Sequence, residues 1–408
     1  MATIAAPLSI YVHLPWCVRK CPYCDFVSYT APQAPPVERY VDALLVDLER
    51  EAARVGRRRP VSVFFGGGTP SLIPPAQIAR LVAAIRETFS IGDDVEVTLE
   101  ANPGTVECGD PAGFLAAGVN RLSIGAQSFD AGRLRTLGRI HSVADIARTV
   151  EAARGAGFED INLDLMYALP GQDSAAALAD IDAAAALDPT HISWYQLTLE
   201  PNTVFHARPP SGLPDEETVA AIEDRGRALL AELGFERYEV SAYARNGQRC
   251  RHNLNYWTFG DYLAVGAGAH GKISTAGGVW RYAKPAHPLA YMEAIERGGT
   301  AADLRPVPGG DLLFEFVLNA LRLTEGFDTA LFCAHTGLSS EYLEERLAPK
   351  VDRGLVGRSP DGRWYATALG QRFLDNLVAD FLPGDADALC TAERGGLVFQ
   401  GERGPNSL

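Results

Sequence analysis

Six short apolar runs, each followed by a polar or amphipathic stretch, fill the first two hundred residues, and this alternation narrows the fold more than any other feature. The runs are Ser9–His13, Val61–Phe65, Val95–Leu99, Val119–Ile124, Asp160–Met166 and His191–Leu197. Helical periodicity falls between them at about 38–54, 75–89, 110–117, 143–155 and 174–187, with Pro or Gly at several boundaries. Repeated βα units of this kind imply a parallel sheet with a helix after each strand. Periodicity alone leaves two forms open, a doubly wound sheet and an incomplete β/α barrel. In either form, polar residues that follow the strands gather at their C-terminal ends, where loops vary and ligands bind.

The remainder of the chain reads differently. A proline-rich connector at 200–216 leads to a helix near 216–233, a short strand near 235–240 and an irregular stretch, 243–288, rich in Gly, His and aromatic residues. From about 309 the pattern predicts helices at 311–322, 329–336, 340–353 and 368–382 with a hairpin at 355–367, a helical, winged-helix-like module. Residues 384–408 lack periodicity and are expected to form a disordered tail. The expected division is therefore 1–200, 201–300, 301–383 and the tail.

Charge excludes one class of partner. Fifty-one acidic against 37 basic residues give a net charge of −14, which disfavours nucleic acid, because phosphate binding requires clustered Lys and Arg. The one basic block, Arg57-Arg58-Arg59, reads as a helix end. No apolar run approaches the ~20 residues of a membrane span and no secretory leader is evident, so the expected address is the cytoplasm.

Three of the seven cysteines crowd into one short loop after the first strand: Cys17, Cys21 and Cys24. Seven cysteines so unevenly spread do not make a disulfide framework. A structural zinc ion takes four ligands, and His13 is the nearest candidate for the fourth. An iron–sulfur cluster held by three thiolates leaves one iron without a protein ligand, able to accept the amino and carboxylate groups of S-adenosylmethionine. The cluster is the preferred reading, and zinc its alternative.

The spacing Cys17-x3-Cys21-x2-Cys24, with Tyr23 before the last cysteine, resembles the signature loop of radical S-adenosylmethionine proteins. Phe65-Gly66-Gly67-Gly68-Thr69-Pro70, Glu100-Ala101-Asn102-Pro103-Gly104, Ile124-Gly125-Ala126-Gln127-Ser128 and Asn162-Leu163-Asp164 narrow the resemblance to the oxygen-independent coproporphyrinogen III oxidase-like group. The resemblance spans about residues 9–382 and implies an α/β fold. Its core is an incomplete (β/α)6 barrel, followed by a smaller α+β region and the helical C-terminal module. It also implies that Tyr11, Tyr23, Gly67, Gly68, Thr69, Glu100, Gln127, Arg139 and Asp164 serve the nucleotide site, with Cys17, Cys21 and Cys24 on the metal. The triple glycine, in addition, lets backbone approach a ligand unobstructed.

Two activities occur within that group. The oxidases carry a further cysteine two residues after the third, where this chain has Phe26, and Cys250-Arg251-His252-Asn253-Leu254-Asn255-Tyr256-Trp257 is similar to the HNxxYW stretch of the group's haem chaperones. The resemblance therefore implies a haem chaperone with acceptor haemoproteins as partners, and oxidative decarboxylation of coproporphyrinogen III is the alternative. An electron donor is implied if S-adenosylmethionine is cleaved, and a homodimer is one expected state. His252 and His270 are the candidate haem ligands, Cys250 a weaker one, with Tyr256, Trp257 and Phe259 as stacking surface. His141, His191, His206, His287 and His335 are taken as structural or surface residues.

Overall fold

The computed structural model describes residues 6–383 apart from 57, 105–107 and 300–303. The expected tail at 384–408 lies outside the described residues.

Six strands follow one another as expected: β1 (Leu8–Leu14), β2 (Pro60–Gly67), β3 (Glu96–Ala101), β4 (Arg121–Gln127), β5 (Asp160–Tyr167) and β6 (His191–Gln196). All adjacent pairs are parallel, and they lie in the sheet in chain order. A doubly wound sheet reverses direction at a switch point. This one does not, so it is the wall of a partial barrel.

Side chains alternate across each strand with period two. Val63, Phe65, Val97, Leu99, Leu122, Ile124, Leu163 and Leu165 face outward into one core with Leu44, Leu48, Ile78, Leu81, Ile85, Ile146, Val150 and Ile181 of the surrounding helices. The intervening residues Ser123, Asn162, Asp164, Ser193 and Tyr195 face the interior, where they are polar and hydrogen-bonded. Buried polar groups need such partners.

The stretch at 243–288 is not irregular. It supplies a helix at Arg251–Trp257 and strands at Asp261–Val265, His270–Thr275 and Gly278–Ala283. The strand Asp261–Val265 is buried throughout and extends the sheet parallel to β1, and the next two continue it antiparallel. Beyond β6 the sheet gains Ala242–Ala244 and Glu236–Arg237, both antiparallel. A wholly buried strand shows no alternation, and the Gly266-Ala267-Gly268-Ala269 turn broke the pattern further.

The C-terminal module has a second core, in which Phe316, Phe327, Phe332, Leu343, Leu347 and Phe381 meet Phe259 and Val279 of the sheet extension. Its helices and its hairpin, Val356–Arg358 with Trp364–Ala366, follow expectation except at the end. The helix expected at 368–382 breaks at Phe373 into Ala368–Arg372 and Leu374–Ala379.

A buried ion cluster ties the extension to the helix Val37–Val55 that follows the cysteine loop. Lys284 Nζ lies 2.7 Å from both Asp47 and Glu51, and all three side chains are essentially inaccessible. The Tyr291 hydroxyl donates to Asp47 at 2.8 Å, and the Tyr40 hydroxyl donates to the His13 carbonyl at 2.9 Å. Removing one partner of such a cluster costs about 3–5 kcal/mol, because charge stays buried without its counterion. Lys284→Met is therefore expected to lower the unfolding free energy by that order and the denaturation midpoint with it. An unchanged midpoint would show that the cluster does not stabilise the fold.

Candidate functional site

The cysteine loop lies over the C-terminal ends of the strands, and short backbone hydrogen bonds hold it there. Gly68 N donates to Leu14 O and Thr69 N to Trp16 O, each at 2.8 Å, while Tyr29 N and Ala31 N donate to Pro15 O and Cys17 O at the same distance. Lys20 Nζ closes the loop on Phe26 O at 3.0 Å. Pro22 packs against Gly138 and accepts from Phe205 N at 3.0 Å, and the Tyr23 ring lies beside Phe205.

The triple glycine serves this contact first. A Cβ on Gly67, whose φ is +122°, would sit 2.8 Å from the His13 ring, and one on Gly68 would sit 2.6 Å from Trp16 O. The missing side chains let the end of β2 reach the loop. This is a different reason for the glycines from the ligand approach expected of them, and Gly67 does not line the cavity.

A cavity of about 390 Å³ opens under the loop. Cys17, Cys21, Cys24, Tyr23, Gly68, Thr69, Glu100, Gln127, Arg139 and Asp164 all line it, so ten of the fourteen expected site residues converge. Tyr11, Gly67, His252 and His270 do not line it. Tyr11 is half-buried beneath it, its hydroxyl on His13 Nδ1 at 3.0 Å.

The donor set fits a three-thiolate cluster better than zinc. His13 Nε2 donates to Val27 O at 2.7 Å, which leaves Nδ1 to accept from Tyr11, so neither ring nitrogen is free for a metal. Among the described residues, no three His, Cys, Asp or Glu side chains converge on a single-ion site. Polar groups meet the sulfurs instead: Arg139 Nη1 at 3.8 Å from Cys21 Sγ and Ser28 Oγ at 3.9 Å from Cys24 Sγ. The Ser28 contact favours the thiolate of Cys24, as cluster ligation requires. Burial pushes the Cys17 thiol up to about 11, so metal loading must release its proton.

The inner faces of β3 to β6 supply the floor. Gln127 ends β4 at φ +67°, after a register shift in the ladder to β5, and its Oε1 accepts from the Tyr195 hydroxyl at 2.7 Å. Asp164 accepts from Asn162 at 2.7 Å and Ser123 at 3.2 Å. Glu100 accepts from Gly67 N at 3.2 Å, and burial together with the nearby Asp164 pushes its carboxyl up to about 8. Arg139 is fixed on Gly125 O at 2.8 Å and on Asn102. Asn102, Ser123 and Tyr195 were not among the expected site residues. Period-two counting back from Gln127 reaches Ser123, and outward facing of Trp194 would have put Tyr195 inside.

The structure places His252 away from the cavity. The helix Arg251–Trp257 plugs the opposite, N-terminal end of the barrel, where Glu96 accepts from Arg251 N at 2.7 Å and His252 N at 3.0 Å. His252 is 3% exposed, its ring stacks on Phe64, and its Nδ1 meets Ser62 Oγ at 3.0 Å. Cys250 is buried beside the same carboxylate. Phe259 belongs to the C-terminal core, and Trp257 lies under Arg322 rather than forming an open stacking surface. His270 is exposed and begins its strand at the cysteine-loop end, after the turn in which Gly268 packs on Val27.

Residues 11–183 match the family model of the radical SAM superfamily, and residues 307–373 that of the HemN C-terminal domain. Coproporphyrinogen III oxidase HemN from Escherichia coli, a radical SAM enzyme, shares the fold with a TM-score of 0.77 at 25% identity, covering 92% of this chain and 90% of that one. Fold and site thus define a radical SAM protein. The heme chaperone HemW of Haemophilus influenzae is 43% identical over 92% of this chain and 98% of its own length, and that of Bacillus subtilis 34% over 92% and 99%. The mitochondrial radical S-adenosyl methionine domain-containing protein 1 of Bos taurus is 39% identical over 78% of this chain and 74% of its own. The chain belongs to the HemW family.

Glu100 gives a signed pH test. Its folded value of about 8 lies above the ordinary 4.5, so burial favours the neutral acid, and the unliganded fold loses stability as pH rises from about 4.5 to 8. Glu100→Gln should remove that loss, making the variant the more stable protein at pH 9 and its equal at pH 4. Parallel stability curves would contradict the assignment.

Proposed function

We propose that the chain is a haem chaperone on a radical SAM scaffold, binding haem and passing it to acceptor haemoproteins in the cytoplasm. The observation that carries this reading is the 43% identity, across 92% of the chain, to a relative named heme chaperone. Among the described residues no helix is long and apolar enough to cross a membrane.

Cys17, Cys21 and Cys24 would hold an iron–sulfur cube, with the Arg139 guanidinium 3.8 Å from the Cys21 sulfur. Three thiolates would leave one iron of that cube without a protein ligand, and the chemistry it would supply is binding of the amino and carboxylate groups of S-adenosylmethionine. Thr69, Glu100, Gln127 and Asp164 would hold the remainder of that molecule by hydrogen bonds from the cavity floor. Tyr23 closes the cavity on the side of Phe205.

Phe26 favours the chaperone over the oxidase. It stands where the oxidases carry a further cysteine and is 56% exposed at the edge of the cavity. Of the two histidines considered as haem ligands, His270 is the one that solvent reaches, and it lies at the cysteine-loop end of the barrel. Haem ligation by His252 would require the barrel floor to open.

Haem titration of anaerobically reconstituted protein tests this directly. His270→Ala should lose or shift the Soret band, whereas His252→Ala, if folded, should retain it. The reverse pattern would overturn the ligand assignment. Incubation with coproporphyrinogen III under reducing conditions should yield no protoporphyrinogen. Turnover would establish the oxidase reading instead.

A further inference from the structure

One carboxylate of the cavity floor is held by a relay that begins far from it. Tyr238, on the segment beyond β6, is buried, and its hydroxyl lies 2.8 Å from His191 Nε2. His191 is wholly buried at the start of β6, with Nδ1 2.6 Å from Asn162 Oδ1. Ser193 Oγ donates to the same oxygen at 3.1 Å. The other end of the Asn162 amide donates to Asp164 at 2.7 Å and to Ser123 Oγ at 2.8 Å, and Ser123 Oγ donates to Asp164 at 3.2 Å.

With Asp164 ionised, one arrangement of protons satisfies every contact. Burial beside Arg121 lowers the pKa of His191 and keeps it neutral, so the ring carries a single N–H. A carboxylate at Asp164 requires the Asn162 amide nitrogen to face it and the amide oxygen to face His191, which places that N–H on Nδ1 and makes Nε2 the acceptor of the Tyr238 hydroxyl. An Nδ1 donor requires the amide oxygen of Asn162 to face it, which turns the amide nitrogen toward Asp164. With the opposite tautomer, Asn162 would flip and set its oxygen against the carboxylate.

We infer that His191 and Asn162 are positioning residues, which hold Asp164 as an acceptor-only carboxylate aimed at the hydrogen-bond donors of S-adenosylmethionine. The inference rests on the cofactor reading above and deepens it. The sequence assigned His191 no role. Neither His191 nor Asn162 lines the cavity, so each acts through Asp164. The charged and titratable groups around that carboxylate are Glu100 on β3, Arg121 on β4 and Tyr195 on β6.

The sign of the effect follows. Burial raises the Asp164 pKa, and the donors from Asn162 and Ser123 oppose that rise. Losing the Asn162 donor lets the carboxyl protonate at higher pH. Ligand binding should then fail at a higher pH as the solution is acidified.

The test measures the dissociation constant of S-adenosylmethionine on the anaerobically reconstituted full chain from pH 5 to 9, with cluster content checked by absorbance. His191→Leu should weaken binding about tenfold or more, the scale on which supporting partners of ligating groups act, and should move the acid limb to higher pH. His191→Asn, which retains a donor near the position of Nδ1, should restore most of both. Tyr238→Phe removes only a remote hydroxyl and should shift the limb in the same direction, so it decides the matter if His191→Leu does not fold. Variants that bind with the wild-type affinity and pH profile overturn the positioning role alone. A wild-type protein that holds its cluster but binds no S-adenosylmethionine overturns the cofactor reading, and this inference with it.

Discussion

The backbone contact between the end of β2 and the cysteine loop is the constraint on which the site depends. Gly68 donates to Leu14 O and Thr69 to Trp16 O at 2.8 Å, and a Cβ at residue 68 would come within 2.6 Å of that same Trp16 carbonyl. Contact this close leaves no room for a side chain. It fixes three thiols at the mouth of the barrel although the loop has little regular structure of its own. The imidazole of His13 adds a second anchor, joining Tyr11 in the barrel to the Val27 carbonyl in the loop. The buried Lys284 cluster and Tyr40 extend this bracing through the helix Val37–Val55 to the far edge of the sheet.

Polarity inside the barrel is layered. The Arg251–Trp257 helix and its carboxylate partner Glu96 seal the floor, the Tyr238–His191–Asn162 relay occupies the middle, and Asp164, Glu100 and Gln127 face the cavity. Buried polar groups in such numbers are tolerated because nearly every one has a partner, and the partners in turn fix orientation. Glu100 is the exception in charge. Held near Asp164 and away from solvent, its carboxyl is pushed up to about 8, which favours the neutral acid, a group that can both donate and accept.

Much of this was legible in the sequence. The six strands and their helices came from apolar periodicity, because strands that pack helices outward must be apolar on that face. The cysteine loop was legible from spacing, and the convergence of Thr69, Glu100, Gln127 and Asp164 on one cavity from their position at strand ends, whereas the nucleotide role proposed for them came from the family resemblance. What was hidden depended on tertiary context. The strand Asp261–Val265 is buried on both faces and so carried no alternation. His252 looked like a ligand because a histidine among aromatic residues suits haem, yet the same residues suit a plug that stacks on Phe64 and caps against Glu96. Asn162 and His191 were invisible as a pair, since they lie on different strands and meet only through the sheet register.

The central claim is that three thiolates at the barrel mouth hold an iron–sulfur cube with one iron open to S-adenosylmethionine. Mössbauer spectroscopy of protein loaded anaerobically with iron-57 tests it most directly. The account predicts that a single iron of the cube changes its isomer shift when S-adenosylmethionine is added, the others staying as they were. Irons that do not respond, or a preparation that binds zinc in place of the cube, would contradict it.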